Sequence, residues 1–169
     1  MNDLLDRLIE AGRHKTAVGY RGKRGDEKNG HGVTGTEGNG VYIADNPHLA
    51  EFFGDVWKVE YILPKHPLIV NEEPLYLLHE MDELFDPITD KDSEWLKANK
   101  EATKRSGVTN EHWNPKKVAA ELTNVLMEMG YDAVRVVPAG DGWVVLFDPS
   151  LIVHQEPFKT NETRGRDAG

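Results

Sequence analysis

The segment Gly40-Val41-Tyr42-Ile43-Ala44-Asp45 decides the fold, together with the tripeptide Tyr20-Arg21-Gly22 upstream of it. Its apolar run predicts a buried strand that carries one tyrosine, Tyr42. Residues 45–47, Asp-Asn-Pro, are typical of a helix start, because capping side chains precede a proline at the first helical position. The short helix that follows ends at Gly54. A strand that presents a tyrosine beside a capped helix is suited to hold a flat ligand.

The composition favours one compact domain in the cytoplasm. The chain has 169 residues, of which 38% are apolar, and no apolar run approaches the length of a membrane span. The early acidic residues Asp3 and Asp6 are unlike those of a signal peptide. The chain has no cysteine, so we expect neither disulfides nor thiolate zinc sites. Its seven histidines are scattered, and we expect no metal site.

The net charge of −9 argues against a protein that wraps nucleic acid through its whole surface. A negative surface instead suits a partner protein with a basic surface. One basic patch interrupts the acidic chain, and its members are Lys15, Arg21, Lys23, Arg24, Lys28 and His31. Such a patch fits either a solvated loop or a cradle for an anionic ligand such as a pyrophosphate. The sequence leaves both interpretations open.

The order of the predicted elements indicates an α+β fold. Helices are predicted over 3–11, from Pro47 to Gly54, from Ser93 to Ser106 and from Pro115 to Gly130. Runs with strand composition are 17–20, 41–44, 56–63, 68–70, 133–137, 143–147 and 151–154. The runs 133–137 and 143–147 are predicted to pair as an antiparallel hairpin. We therefore expect a mixed or mostly antiparallel twisted sheet of about six or seven short strands with three or four helices.

Three segments depart from this regular pattern. Residues 22–40 contain seven glycines and are predicted to form a loop, and a loop of this length is either functional or disordered. The most acidic region begins at residue 71, and we interpret 71–113 as an acidic insertion on the surface. Residues 158–169 are predicted to be a flexible tail, so that 1–157 form a single domain.

The chain resembles the ADP-ribosyltransferase superfamily. The poly(ADP-ribose) polymerase branch has the most similar motifs. The similarity lies in Tyr20-Arg21-Gly22, in the segment 38–45 and in the helix that ends Phe52-Phe53-Gly54. The segments 130–134 and 144–152 are similar to the last strands of bacterial and phage members. These pieces occur in the family's order and span residues 17–154, whereas the acidic stretch has no counterpart. Motifs for a P-loop, a zinc protease, a nucleophile elbow or a Rossmann fold are absent.

The resemblance implies a split antiparallel sheet that binds NAD as a co-substrate in the cleft between its halves. Arg21 falls where the family places His or Arg, and an arginine suits a diphosphate. Tyr42 and Phe53 fall on the two positions that stack on nicotinamide, and the main chain of Gly22 would pair with its amide. The remaining members of the implied NAD site are Tyr20, Ala44 and Trp143. On the residues alone, the aromatic rings also fit a core, and Arg21 also fits a surface ion pair.

The chain departs from the family at the catalytic acid. The family's glutamate falls at Trp143, and the nearest carboxylate is Asp141, two residues earlier on the same side of an extended strand. The resemblance therefore makes Asp141 and Arg21 the candidate catalytic residues, with Glu51 and Glu156 as weaker candidate acids. Asp141-Gly142 is equally a hairpin turn signal.

Three functions fit this interpretation. The first is a phage- or bacterium-encoded mono-ADP-ribosyltransferase that acts in the cytoplasm of a host on a macromolecular target, for which a protein with a basic surface is the favoured candidate. The second is a catalytically silent binder of the same fold, which inhibits a nucleic-acid-binding host protein through its acidic surface. The third is a toxin that hydrolyses NAD. Binding to bare nucleic acid or to a membrane is not expected, and the sequence predicts no oligomeric state.

Overall fold

The computed structural model describes residues 12, 14–23, 33–35, 38–71, 79–137 and 142–159. The predicted helix 3–11, most of the glycine-rich loop, Asp141 and residues 160–169 lie outside them. The strands are β1 Thr16–Lys23, β2 Val33–Gly35, β3 Gly38–Ala44, β4 Asp55–Ile62, β5 Pro67–Val70, β6 Ala133–Val136, β7 Trp143–Leu146 and β8 Ile152–Pro157. The helices are α1 Pro47–Glu51, α2 Glu94–Ser106 and α3 Pro115–Glu128, with single 3-10 segments at His79–Phe85 and Pro149–Leu151.

The strands form one sheet in the order β5-β6-β7-β3-β1-β4-β8, and β2 pairs with β3. All of these pairs are antiparallel except β5–β6, which is parallel. The predicted α+β class and the mostly antiparallel sheet are therefore confirmed, as is the hairpin-type pairing of β6 with β7.

The glycine-rich segment 22–40 is not a loop throughout, and this part of the prediction is wrong. Val33 pairs with Gly40 and Gly35 with Gly38, so the segment contains β2 and lengthens β3. A residue distant in the sequence stabilises the added part of β3, because the Thr123 hydroxyl on α3 accepts from the Asn39 amide at 2.8 Å. Composition alone could not show that contact.

Helices α2 and α3 cover one side of the sheet and form the larger core with β5, β6 and β7. The predicted apolar stripe of α3 is confirmed, since Leu122 and Leu126 are 1% and 0% exposed. The predicted caps are confirmed as well: the side chains of Ser93 and Asn114 accept main-chain N–H groups, and Gly107 ends α2 with a φ of 75°. Within the acidic stretch 71–113, α2 thus contributes buried side chains to the core.

A second core lies on the other side of the sheet, as the alternation along β7 shows. Trp143 and Val145 pack with α2 and α3, whereas Val144 and Leu146 belong to the second core with Val41 and other strand residues. A small third cluster lies under α1. Among the described residues, no helix is long and apolar enough to cross a membrane.

A buried ion pair joins α2 to the segment before it. Lys100 Nζ lies 2.8 Å from Asp92 Oδ2, and the two side chains are 6% and 11% exposed. Lys100 also donates to the Pro87 carbonyl at 3.3 Å. The hydrogen bond from Lys100 lowers the pKa of Asp92, as does the one from the Thr89 main chain. The pair therefore neutralises a buried ammonium that would otherwise be costly in the core.

Trp95→Phe is expected to leave the free energy of unfolding unchanged or raise it by up to about 1 kcal/mol. The ring of Trp95 is 3% exposed, but its Nε1–H has no hydrogen-bond partner within the part of the chain that the structure describes. A buried unpaired donor costs about 1–3 kcal/mol, and phenylalanine removes it while it retains part of the ring. Urea denaturation measures the effect. Trp95→Ala is the matched control and should cost about 3–5 kcal/mol; a similar loss in Trp95→Phe would contradict the prediction.

Candidate functional site

The sheet opens between β1 and β3. Strand β1 pairs with β4 along its whole length, from Thr16↔Ile62 to Lys23↔Asp55. Its register with β3 contains a single pair, Tyr20↔Ala44. The two strands that carry the predicted site are thus paired at one position. We call the unpaired stretch beyond it, between Gly22 on β1 and Tyr42 on β3, the opening.

The main chain of Gly22 faces this opening. The Phe158 amide donates to the Val56 carbonyl at 2.9 Å, so the polar groups of Val56 are directed towards β8. In an antiparallel ladder, the N–H and C=O of one residue point to the same neighbouring strand, and the direction alternates along the chain. Gly22 pairs with Val56, so its own N–H and C=O point away from β4 and towards β3.

Continuing the Tyr20↔Ala44 register would place Gly22 opposite Tyr42. That pair is absent from the register that the described parts of β1 and β3 form. The opening between the strands is therefore lined by a main-chain donor and acceptor of Gly22 on one side and by Tyr42 on the other. A planar amide needs a donor and an acceptor of this kind to be held at an edge.

Helix α1 closes one side of the opening and requires glycine at position 22. A Cβ on Gly22 would lie 2.2 Å from the Ala50 carbonyl oxygen and 2.9 Å from main-chain atoms of Phe53 and Gly54. Asn46 caps the start of this helix, and its side chain accepts from the Leu49 amide at 2.9 Å. The main chain of Phe53 lies beside Gly22, and Phe53 is 55% exposed. The position of α1 thus places the main chain of Phe53 next to the opening.

Three predicted residues form a row across the sheet. Ala44 pairs with Trp143 on one side and with Tyr20 on the other, so the small alanine separates two aromatic residues that share its side of the sheet. Tyr42, two residues before Ala44, lies on that side too. Tyr20 and Ala44 belong to the cluster under α1, where the Tyr20 and Phe158 rings meet edge to face at 5.0 Å. Tyr42 and Trp143 pack against the α2–α3 core.

Arg21 lies on the opposite side of β1 from Tyr20, because neighbouring residues of a strand alternate. It is 4% exposed and pairs with Trp57 in the β1–β4 register. The Lys23 ammonium lies 4.0 Å from the Trp57 ring centroid on the same side. The structure therefore does not bring Arg21 onto the side that Tyr20, Ala44, Tyr42 and Trp143 share, and Arg21 is buried.

The candidate acids have different surroundings. Asp141 lies outside the described residues. Glu156 is opposite Lys58 in the β4–β8 register and 3.7 Å from His154. Glu51 lies at the end of α1, 3.9 Å from His48. Among the described residues, no group of three or more His, Cys, Asp or Glu side chains is placed to hold a metal ion.

Sequence reasoning missed the role of Asp45. We predicted it as a capping residue, but Asn46 caps α1, and the Asp45 carboxylate instead binds Arg135 through two bonds of 2.7 Å. Tyr61 lies near this pair. Burial raises the pKa of the Tyr61 hydroxyl, the Arg135 charge opposes that shift, and the Asp45 charge adds to it. The partners are 90 residues apart, so no local signal identifies the contact.

A cavity of about 300 Å³ lies elsewhere, at the other end of β4. Its polar lining includes His14, Lys65, Asp132 and Ser150. Both carboxylate oxygens of Asp132 accept main-chain N–H groups, from Lys65 at 2.8 Å and from His66 at 2.9 Å. This cavity therefore surrounds a loop anchor and contains none of the predicted site residues.

Comparisons with known proteins do not assign a family. No family model matches the chain, and no curated protein matches it. One similar solved structure is described as that of an anti-CRISPR protein; it is 13% identical, covers 85% of this chain and 96% of its own, and has a TM-score of 0.42. Another is the M. tuberculosis MbcT–MbcA toxin–antitoxin complex, with 11% identity, coverage of 100% and 99%, and a TM-score of 0.41. At TM-scores this low, neither likeness identifies the fold or the function of this chain.

Proposed function

We propose that this chain is an ADP-ribosyltransferase that binds NAD in the opening between β1 and β3 and transfers ADP-ribose to a protein. The observation that carries the proposal is the end of the β1–β3 register at Tyr20↔Ala44, which leaves the main chain of Gly22 directed at the opening. It supports the resemblance at the position where the family holds the nicotinamide amide. The family name rests on the sequence motifs alone.

The side chains around the opening supply the other contacts of the proposed site. Gly22 N–H and C=O pair with the carboxamide, and the rings of Tyr42 and Phe53 stack on nicotinamide. The exposure of Phe53, 55%, fits a ring that a ligand covers. Tyr20, Ala44 and Trp143 line the same side of the sheet. Arg21 is assigned the diphosphate because its guanidinium is always charged, and it would act from its own side of β1.

The proposed reaction breaks the bond between the nicotinamide nitrogen and C1′ of the ribose, and nicotinamide leaves with the electron pair. A nucleophile of the target forms the new bond at C1′ and releases its proton to solvent. Positive charge develops on the ribose in between, and a nearby carboxylate stabilises it. We assign this role to Asp141.

Incubation with labelled NAD and a bacterial lysate tests the proposal. We expect release of nicotinamide and label on a protein band, and Asp141→Asn should lower the rate by about 100-fold, as the loss of one electrostatic stabiliser does. Asp90→Asn is the matched control, because Asp90 is exposed and distant in sequence from the site. Absence of nicotinamide release under all conditions would overturn the enzyme proposal.

A catalytically silent binder is the second candidate, and Trp143 at the position of the family's acid favours it. It predicts NAD binding without nicotinamide release. The partner would be a basic, nucleic-acid-binding protein, which suits the exposed acidic side chains around α2; these are Asp82, Glu83, Asp86, Asp90 and Glu94. Free ADP-ribose without labelled protein would instead identify an NAD hydrolase.

A further inference from the structure

The Asp45–Arg135 ion pair connects three strands at the edge of the candidate site. Asp45 Oδ1 and Oδ2 accept from Arg135 Nη1 and Nη2, both at 2.7 Å. Oδ2 also accepts from the Gly142 amide at 3.2 Å, and the Asp45 amide donates to the Gly142 carbonyl at 2.9 Å. One aspartate thus binds a side chain of β6 and both main-chain groups of the residue before β7.

The pair passes over the main chain at Gly142. Strand β7 lies between β6 and β3, so the Arg135 side chain must reach across it to meet Asp45 on the far side. Two strand spacings amount to about 10 Å. A long arginine side chain can span this distance only where no side chain of β7 stands in its way. Gly142 has no side chain and leaves this path free. A Cβ at position 142 would lie 3.3 Å from Asp45 Oδ2 and 2.1 Å from the Val136 carbonyl oxygen.

The residues next to these contacts belong to the candidate site. Trp143 follows Gly142, Ala44 precedes Asp45, and Trp143 and Ala44 are paired in the register. Asp45 and Arg135 lie on the opposite side of the sheet from the Trp143 ring, because Arg135 pairs with Val144. Their effect on a ligand near Trp143 must therefore pass through the main chain.

We propose that the Asp45–Arg135 ion pair positions the start of β7, and with it Trp143, against Ala44 in the NAD site. This inference rests on the proposed function for its ligand. Asp45 does not act as the missing acid, since both of its oxygens are taken by Arg135 and Gly142. Asp45 and Arg135 are therefore positioning residues. The two parallel hydrogen bonds between them fix the orientation of the two side chains as well as the distance between them.

Titration of the full chain with NAD by calorimetry tests the inference. We expect Arg135→Gln to weaken NAD binding by about tenfold, which corresponds to about 1.4 kcal/mol. The matched control is Arg105→Gln, because Arg105 forms an equally short two-bond pair with Glu128 between α2 and α3, away from the site. It should change the affinity by less than about twofold at a similar loss of thermal stability.

Hydrogen–deuterium exchange separates this inference from the proposed function. Arg135→Gln is expected to speed exchange in the peptide that contains β7, and Arg105→Gln is not. If the wild-type chain does not bind NAD, the proposed function fails and the exchange result alone decides whether the pair positions β7. Wild-type affinity together with wild-type β7 exchange in Arg135→Gln would overturn the inference.

Discussion

Gly22→Ala is expected to lower the free energy of unfolding by about 3 kcal/mol, at the upper end for overpacking, and to abolish measurable NAD binding. The added methyl group would meet the Ala50 carbonyl oxygen at 2.2 Å and two further main-chain atoms at 2.9 Å. None of these atoms belongs to a flexible side chain, so α1 as a whole must move away from β1. That movement displaces Phe53 and widens the opening next to the Gly22 amide. Urea denaturation and NAD calorimetry measure the two effects.

Val18→Ala on the same strand is the control for this substitution. Val18 is 50% exposed, and its truncation should change stability by less than about 0.5 kcal/mol. If Gly22→Ala bound NAD with wild-type affinity, the Gly22 main chain would not form part of the site.

Leu126→Ala is expected to destabilise the chain by about 2–5 kcal/mol without changing NAD affinity in the folded state. Leu126 is 0% exposed and lies in the core between α2, α3 and the sheet. The truncation leaves a cavity in the core on which Tyr42 and Trp143 also pack, but it alters neither the Gly22 main chain nor the Tyr20↔Ala44 pair that joins β1 to β3. Met127→Ala is its matched control, since Met127 follows on the same helix and is 50% exposed.

The comparison of these two substitutions separates loss of stability from loss of the site. Urea denaturation should show a large effect for Leu126→Ala and one of less than about 0.5 kcal/mol for Met127→Ala. Calorimetry at a temperature where both variants are folded should give wild-type NAD affinity. A weakened affinity in Leu126→Ala would mean that the core on α3 contributes to the opening directly.

The local sequence rules for helices and strands were sufficient to predict most of the helices and strands. Ser93, Asn114 and Gly107 marked the limits of α2 and α3 because a cap depends on a few neighbouring residues only. The strand with Tyr42 followed from its apolar run, and the pairing of β6 with β7 from their closeness in sequence. Strand β2 could not be predicted, since its glycine-rich composition favours a loop and it is defined by its pairing with β3, whose Asn39 is bound by Thr123 on α3.

The features of the candidate site also fall into those that the sequence predicted and those that it could not predict. Sequence motifs selected the residues of the opening, and strand alternation places Ala44 and Tyr42 on one side of β3 without reference to the rest of the chain. The register Tyr20↔Ala44 is what adds Tyr20 to that side. The sequence by itself thus determined most of the elements, the caps of α2 and α3, and which residues share a side within each strand. Only the tertiary structure decided where the β1–β3 register ends, that Gly22 faces the opening, and that Asp45 binds Arg135. Those features depend on contacts between residues distant in the chain, and such contacts leave no periodic or neighbouring signal in the sequence.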